Sequence, residues 1–275
     1  MPGEASIVFS TAAANEYAVM RHQKNIIDSH TDIIAEEVPI AMVYNGISHV
    51  VMLATPQDLE DFALGFSLTE GILDKPSDLY GVEIGLKPQG IELQLEIASS
   101  CFQRLKEQRR NMTGRTGCGL CGSESLEQAL KIPTLKLANA STNKVSSKII
   151  SIAFANIHEQ QKLQILTGAT HASAWINLQA EVELIREDVG RHNALDKLLG
   201  AMAMAKPQRS GFVLTTSRAS YEMVQKTASA GINMLVAISA PTGLAIRMAE
   251  QCNLTLVGFA RENSFVVYSH PENII

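Results

Sequence analysis

Apolar and polar positions divide this chain into two differently patterned parts. Residues 40–44 and 47–53 are apolar runs separated by Asn45-Gly46, the pair favoured in a type I′ hairpin turn. Thr55 then reads as a helix N-cap with Pro56 at the first helical position. Leu59, Phe62, Ala63 and Phe66 recur on one face of that helix, and Gly71 offers its stop. Residues 91–97 alternate strictly between apolar and polar, which predicts a half-buried strand. Residues 102–110 predict a basic helix. The first thirty residues carry no firm periodicity and predict a ragged or strand-like lead-in.

The later part changes rhythm. Ile149, Ala153 and Ile157, with Ile150 and Phe154 beside them, fit one face of a helix. Strand-like runs then follow at 182–185, 211–215, 234–239 and 254–259, separated by helical patterns that begin near Arg191, Ser220 and Thr242. Residues 265–268 add a last strand. Strands alternating with helices imply a layered α/β sheet with some parallel pairs. The expected organisation is a lead-in over 1–34, a small α+β domain over 35–112, a cysteine loop over 113–123 and a layered α/β domain over 124–275.

That loop carries the strongest chemical signal. Thr113-Gly114-Arg115-Thr116-Gly117-Cys118-Gly119-Leu120-Cys121-Gly122-Ser123 holds four glycines in eleven residues. Such a stretch is expected to be exposed and poorly ordered. Two thiols three positions apart sit inside it, with Arg109, Arg110 and Arg115 just before them. A thiol is a useful nucleophile as the thiolate, and neighbouring cations favour that form. A loop that merely happens to contain two cysteines is the alternative.

Composition changes the picture in only a few respects. The chain has 275 residues, 46% hydrophobic and 19% charged, which suits an ordinary globular protein with a sizeable core. A net charge of −5 argues against a general nucleic-acid binder, but leaves room for a local basic pocket. The other two cysteines, Cys101 and Cys252, read as inert, and four in all are too few for a disulfide scaffold. No leader and no membrane-length apolar run is visible, so the expectation is a cytoplasmic chain with reduced thiols.

In layered α/β sheets, the loops after strand ends carry ligands. Four stretches have that placement: 166–171 around His171, 186–193 with Arg191 and His192, 215–220 with Arg218, and Phe259-Ala260-Arg261-Glu262-Asn263-Ser264. Arginine beside helix-start amides suits phosphate or pyrophosphate, although Ser, Thr, Asp and Gly at such places are also ordinary capping residues. His192 is compatible with a proton-transfer role and equally with a hydrogen-bonding role at a helix start. His171 stands in the same balance. Trp175 reads as core.

Three motifs together point to a family. Arg115-Thr116-Gly117-Cys118-Gly119-Leu120-Cys121-Gly122, the stretch Glu187-Asp188-Val189-Gly190-Arg191-His192-Asn193-Ala194-Leu195-Asp196-Lys197, and Ser217-Arg218-Ala219-Ser220-Tyr221-Glu222 resemble the FdhD family of formate dehydrogenase accessory sulfurtransferases. Glu36-Glu37-Val38-Pro39 and Phe62-Ala63-Leu64-Gly65-Phe66 look like its N-terminal part. The resemblance runs from about Ala35 to the C-terminus.

It implies a sulfur carrier. A cysteine desulfurase would load sulfur as a persulfide on Cys118, with Cys121 assisting. The sulfur would then pass to the molybdenum of a bis(molybdopterin guanine dinucleotide) cofactor, bound as substrate, before that cofactor enters formate dehydrogenase. The resemblance also implies a C-terminal domain of cytidine-deaminase-like fold and a homodimer. It places the cofactor-binding loop at 259–264, where Ala260 and Glu262 leave the loop's position better supported than each contact. Arg218 and His192 are further candidates for the same site.

Rival classes fit less well. A dithiol oxidoreductase normally opens a helix with its C-x-x-C, whereas here glycines flank both thiols. Structural zinc needs four ligands, and only one C-x-x-C pair is present. A zinc deaminase needs H-x-E together with P-C-x-x-C; His270-Pro271-Glu272 has the first spacing, but Gly117 precedes Cys118 and no P-C-x-x-C occurs. A chaperone that only holds the cofactor is the strongest rival.

Overall fold

The computed structural model describes residues 9–24, 26–113, 144–207 and 210–275, without the side chains of 108–113. Cys118, Cys121 and the rest of their loop lie outside the described residues, as does the helix start expected near Ser123. The helix before them includes Thr113, which the sequence reading placed in the loop.

The lead-in is ordered as strands. β1 (Ala14–Gln23) and β2 (Ile26–Ala35) form an antiparallel hairpin of largely exposed residues. Glu36 fastens its base, accepting hydrogen bonds from Asn15 Nδ2 at 2.8 Å and Tyr17 OH at 2.7 Å.

A four-stranded mixed sheet follows, in the order β4 (Ile47–Ala54), β3 (Val38–Tyr44), β6 (Gly90–Ile97), β5 (Leu79–Lys87). At the β3–β4 turn, Asn45 has φ 45° and Gly46 φ 81°, the two positive values that a type I′ turn requires. Val38, Ile40, Met42, Leu93 and Leu95 project from this sheet into one core with Phe62 and Phe66 of α1 (Leu59–Thr69) and Leu105 of α2 (Ser99–Thr113). The α1 helix starts later than expected. Asp58, not Thr55, is its N-cap. Thr55 cannot cap because its amide donates to Asp188 Oδ2 at 3.0 Å and its hydroxyl accepts from Val189 N–H at 3.1 Å.

The larger sheet runs β12 (Val266–Ser269), β11 (Thr255–Gly258), β10 (Met234–Ala237), β9 (Gly211–Thr215), β7 (His171–Asn177), β8 (Val182–Asp188). β9, β10 and β11 are parallel, and the other pairings are antiparallel. On one face α3 (Ser147–Gln160) packs Ile150, Ala153 and Ile157 against Ile176, Phe212 and Val236. On the other, α5 (Arg191–Ala205), α6 (Tyr221–Ser229) and α7 (Gly243–Gln251) pack against Trp175, Val213, Leu235 and Leu256. The short α4 (Lys162–Thr167) leads into β7 and touches β2. This is the layered α/β class that the alternation predicts.

The two sheets are joined by α1 lying on α5. A Cβ on Gly65 would stand 1.7 Å from the Asp196 carbonyl oxygen, and one on Gly200 would stand 1.9 Å from that of Asp61. Only glycine lets these backbones meet. Gly200→Ala is therefore expected to destabilise the chain by about 1–3 kcal/mol, as overpacked sites do. Denaturant unfolding checks this, and an unchanged midpoint would show that the helices separate freely.

Candidate functional site

The parallel strands end on one edge, and the antiparallel β7 begins and β8 ends there too. Four of the elements named above therefore converge. Thr170 and His171 open β7, Gly190 to His192 start α5, Ser217 to Ser220 lead into α6, and the turn after β11 carries Phe259 to Ser264. Backbone bonds lace the loops together: Ser239 N–H donates to Ser217 O at 3.3 Å, Thr242 N–H to Ala219 O at 3.0 Å, and Phe259 N–H to Ser239 O at 3.2 Å. All four ligand-bearing stretches anticipated from sequence lie on this edge.

Within the motif 187–197, most side chains do not face the edge. Glu187 accepts the amides of Leu163 and Gln164 at 2.9 and 2.8 Å, holding the first turn of α4. Asp188 lies fully buried and pairs with the equally buried Lys197 at 2.7 Å. Lys197 also donates to Thr55 O at 2.9 Å, and Asn193 Nδ2 to Leu53 O at 2.8 Å. Asp196 accepts from Thr69 Oγ1 at 2.7 Å and from Lys226 Nζ at 3.0 Å, and Lys226 reaches Glu70 at 2.7 Å. Burial works against the charge on Lys226, but Asp196 and Glu70 outweigh it and hold the ammonium above the ordinary lysine range. These residues clamp the smaller sheet to the larger one. Of these residues, Glu187, Asp188 and Asn193 fall in the stretch 186–193 read from sequence as ligand-bearing, and only Arg191 and His192 of the motif are left for the edge.

The edge is electropositive. Arg191 is only partly exposed; its Nε is buried without a hydrogen-bond partner. Burial and then the Arg218 charge lower its pKa, with Glu222 opposing. His192 Nε2 stands 3.2 Å from Ser220 Oγ and 3.1 Å from Glu222 Oε2. Its pKa falls to about 4 through burial, then Arg191, Lys226 and Arg218, with Glu70 opposing. Burial and Arg191 also lower His171, against Asp188. Both imidazoles are thus driven toward the neutral form.

A pH effect follows from His192. Its folded-state value near 4 lies below the ordinary 6.5, so between those limits the unfolded chain binds more protons. Stability from this group is complete above pH about 6.5 and is lost as pH falls toward 4. His192→Gln is expected to flatten that part of the stability profile. Identical profiles for both proteins, measured by urea unfolding from pH 7 to 4, would count against it.

The loop at 259–264 is placed as expected, but its contacts are its own. Phe259 has φ 51° and is 45% exposed, Ala260 is buried, and Arg261, Glu262, Asn263 and Ser264 are exposed. The Arg261 guanidinium donates to the carbonyls of Ile238 and Ala260, tying the β10 and β11 loops, and its amide donates to Ser264 O at 2.8 Å. Arg218 is exposed beside the α6 start. Cys101 and Cys252 are both buried, and burial raises the Cys252 thiol. Among the described residues, Asp74, Asp78 and Cys101 form one grouping with metal-ligand spacing. Asp74 is paired with Arg104 at 3.1 Å, and Asp78 accepts the amides of Asp74 and Lys75.

Residues 35–275 match the sequence profile of the FdhD/NarQ family. The chain belongs to that family. It is 56% identical over 259 residues to the sulfur carrier protein FdhD of Cupriavidus necator, covering 94% of this chain and 89% of that protein. The protein of the same name from Bordetella petrii is 52% identical, with 94% and 92% covered. The fold also matches the crystal structure of a protein from Desulfotalea psychrophila described as a formate dehydrogenase accessory protein. There the TM-score is 0.74, the identity 23%, and the match covers 96% of this chain and all of that one. Among the described residues, no helix is long and apolar enough to cross a membrane.

Proposed function

We propose that this chain is a sulfur carrier for formate dehydrogenase maturation. The thiolate of Cys118 attacks the outer sulfur of a persulfide on a cysteine desulfurase; the desulfurase thiol leaves, and the sulfur stays on Cys118 as a new persulfide. Cys121 assists the onward step. In that step the Cys121 thiolate attacks Cys118 Sγ, a Cys118–Cys121 disulfide forms as the persulfide S–S bond breaks, and the terminal sulfur leaves at the sulfide level for the molybdenum of bis(molybdopterin guanine dinucleotide), held as substrate, before the cofactor enters formate dehydrogenase. The substrate is held at the strand edge by the loop 259–264 with Arg218 and His192. The chain works as a homodimer in the cytoplasm.

The observation that carries this reading is the identity of more than half over nearly the whole chain to a protein named as a sulfur carrier, joined to a C-x-x-C at Cys118 and Cys121. The electropositive edge supports it, because the substrate brings pyrophosphates. Mass spectrometry after incubation with a desulfurase and cysteine tests it. A sulfur adduct on Cys118 is expected, and a chaperone that only holds the cofactor gains none.

A further inference from the structure

β1 and β2 form a sheet of two strands only, ten residues each. A two-stranded hairpin by itself is marginal in water, and a third strand or a packed face is what ordinarily holds one. β2 has α4 against it, whereas among the described residues β1 has no strand partner besides β2. Gln23 faces Ile26 across a two-residue turn, so that pair is a hydrogen-bonded one, and bonded pairs recur at every second residue from it. The bond from Glu36 N–H to Ala13 O at 2.9 Å keeps the same phase at the far end. Tyr17, Val19 and Arg21 therefore bond to β2, while Glu16, Ala18, Met20 and His22 turn their N–H and C=O groups away from it. Among the described residues no backbone partner meets those outward groups. The strand holds no proline or glycine, and Tyr17 and Met20 are 46% and 62% exposed. Such an edge is a template for another strand.

We infer, resting on the homodimer reading above, that β1 pairs with β1 of a second copy, antiparallel and centred on Val19, so that the two hairpins make one sheet in the order β2-β1-β1-β2. A two-fold axis normal to such a sheet sets one residue opposite its own copy, and the others pair about it. A centre at the middle of the strand engages nearly its whole length, which leaves Ala18 or Val19. With Val19 at the centre, Glu16 faces the His22 imidazole of the second copy, the Tyr17 ring faces its Arg21 guanidinium, and Ala18 faces its Met20. Acid meets base, aromatic ring meets cation, and the small apolar residue meets the large one. Two of these side chains are already held in place, Tyr17 by Glu36 at 2.7 Å and Arg21 by Asp28 at 2.8 Å. With Ala18 at the centre, Glu16 would face Met20 and Arg21 would face Asn15, and those matches are lost. The bonding phase agrees as well. Ala18 with Met20 and Glu16 with His22 bring together the outward groups of both strands, while Val19 meets its copy as a non-bonded pair with Cα atoms about 4.5 Å apart. This match of the strand to itself selects a second copy over an unrelated strand.

Sedimentation equilibrium of the full-length protein, joined to oxidative cross-linking, tests the pairing. The unsubstituted chain is expected to be a dimer. Ala18→Pro removes one outward N–H and none that bonds to β2, and proline is tolerated at such edge positions. It should weaken the dimer roughly a hundredfold. For cross-linking, Val19→Cys and Tyr17→Cys are each placed in a chain that also carries Cys118→Ala and Cys121→Ala. Val19→Cys should join two chains through a disulfide, because the spacing at the centre suits one. Tyr17→Cys should not, since that position lies about 14 Å along the strand from its own copy. A monomeric unsubstituted chain would overturn the homodimer and this pairing together, and would leave the chemistry at Cys118 untouched. A dimer of unchanged affinity in Ala18→Pro would overturn the pairing and leave the homodimer standing. So would a Val19→Cys chain that does not cross-link, or a Tyr17→Cys chain that cross-links as well as it does. Should Ala18→Pro fail to fold, the two cysteine variants decide.

Discussion

Replacing Cys118 by alanine should abolish persulfide loading from a cysteine desulfurase, while Cys121→Ala should load normally and fail to pass the sulfur on. The effect is expected to be all or none, because the first variant removes the covalent anchor of the sulfur and the second removes the thiol that serves its onward transfer. Two considerations bear on which thiol is the anchor. If a helix starts near Ser123, Cys121 sits at its N-terminus, where a thiolate is stabilised; that makes it a better leaving group than attacker. Family resemblance names Cys118. Arg109, Arg110 and Arg115 precede both thiols in the sequence and do not by themselves distinguish them. Loading is read as a mass increase of one sulfur on intact protein, removed by reductant. Normal loading of the Cys118→Ala chain would sink the assignment.

What the sequence disclosed depended on whether the signal was local. The Asn45-Gly46 turn, the alternating strand at 90–97 and the helix starts at 191, 221 and 243 follow from periodicity and capping within a few residues, and these were legible. β7 was not. It reads His-Ala-Ser-Ala-Trp-Ile-Asn and is buried on both faces after its first residue, so it shows neither alternation nor a β-branched run. The start of α1 was misplaced for a different reason. Thr55 has the chemistry of a cap, yet its partners Asp188 and Val189 lie 133 and 134 positions away in the chain. The same distance hides the clamp. Asn193, Asp196 and Lys197 sit among Ala194, Leu195, Leu198 and Leu199 on a buried helix, and polar residues at such positions require buried partners somewhere. That composition is the available signal; of these residues only Asn193 falls in a stretch read above as ligand-bearing. The edge itself was legible because strand ends and arginines are local features. That Arg261 ties loops together was not, since that depends on the carbonyls of Ile238 and Ala260 that it meets.

The clamp predicts the larger of the two stability effects. Asp188 is its centre: it accepts from Thr55 N–H, Gly190 N–H, Asn193 Nδ2 and Lys197 Nζ, all inside the interface between the two sheets. Asp188→Ala leaves a fully buried ammonium and three further donors without their acceptor. Breaking a buried pair from one side costs about 3–5 kcal/mol, a large share of the roughly 5–15 kcal/mol that holds a domain together. Burial already pulls Lys197 below the ordinary lysine range, against Asp188, so removing the carboxylate should lower it further. Lys197→Met should cost less, because Asp188 keeps its other three donors and the methionine fills the space beside Phe62, over whose ring Lys197 Nζ lies at 5.8 Å. Asp188→Asn combined with Lys197→Met removes both charges and keeps part of the hydrogen bonding, and it should recover part of the loss from Asp188→Ala. Denaturant unfolding of the four proteins gives the order. Equal destabilisation by Asp188→Ala and Lys197→Met would mean that the carboxylate serves the lysine alone and that the amides of Thr55 and Gly190 do not depend on it.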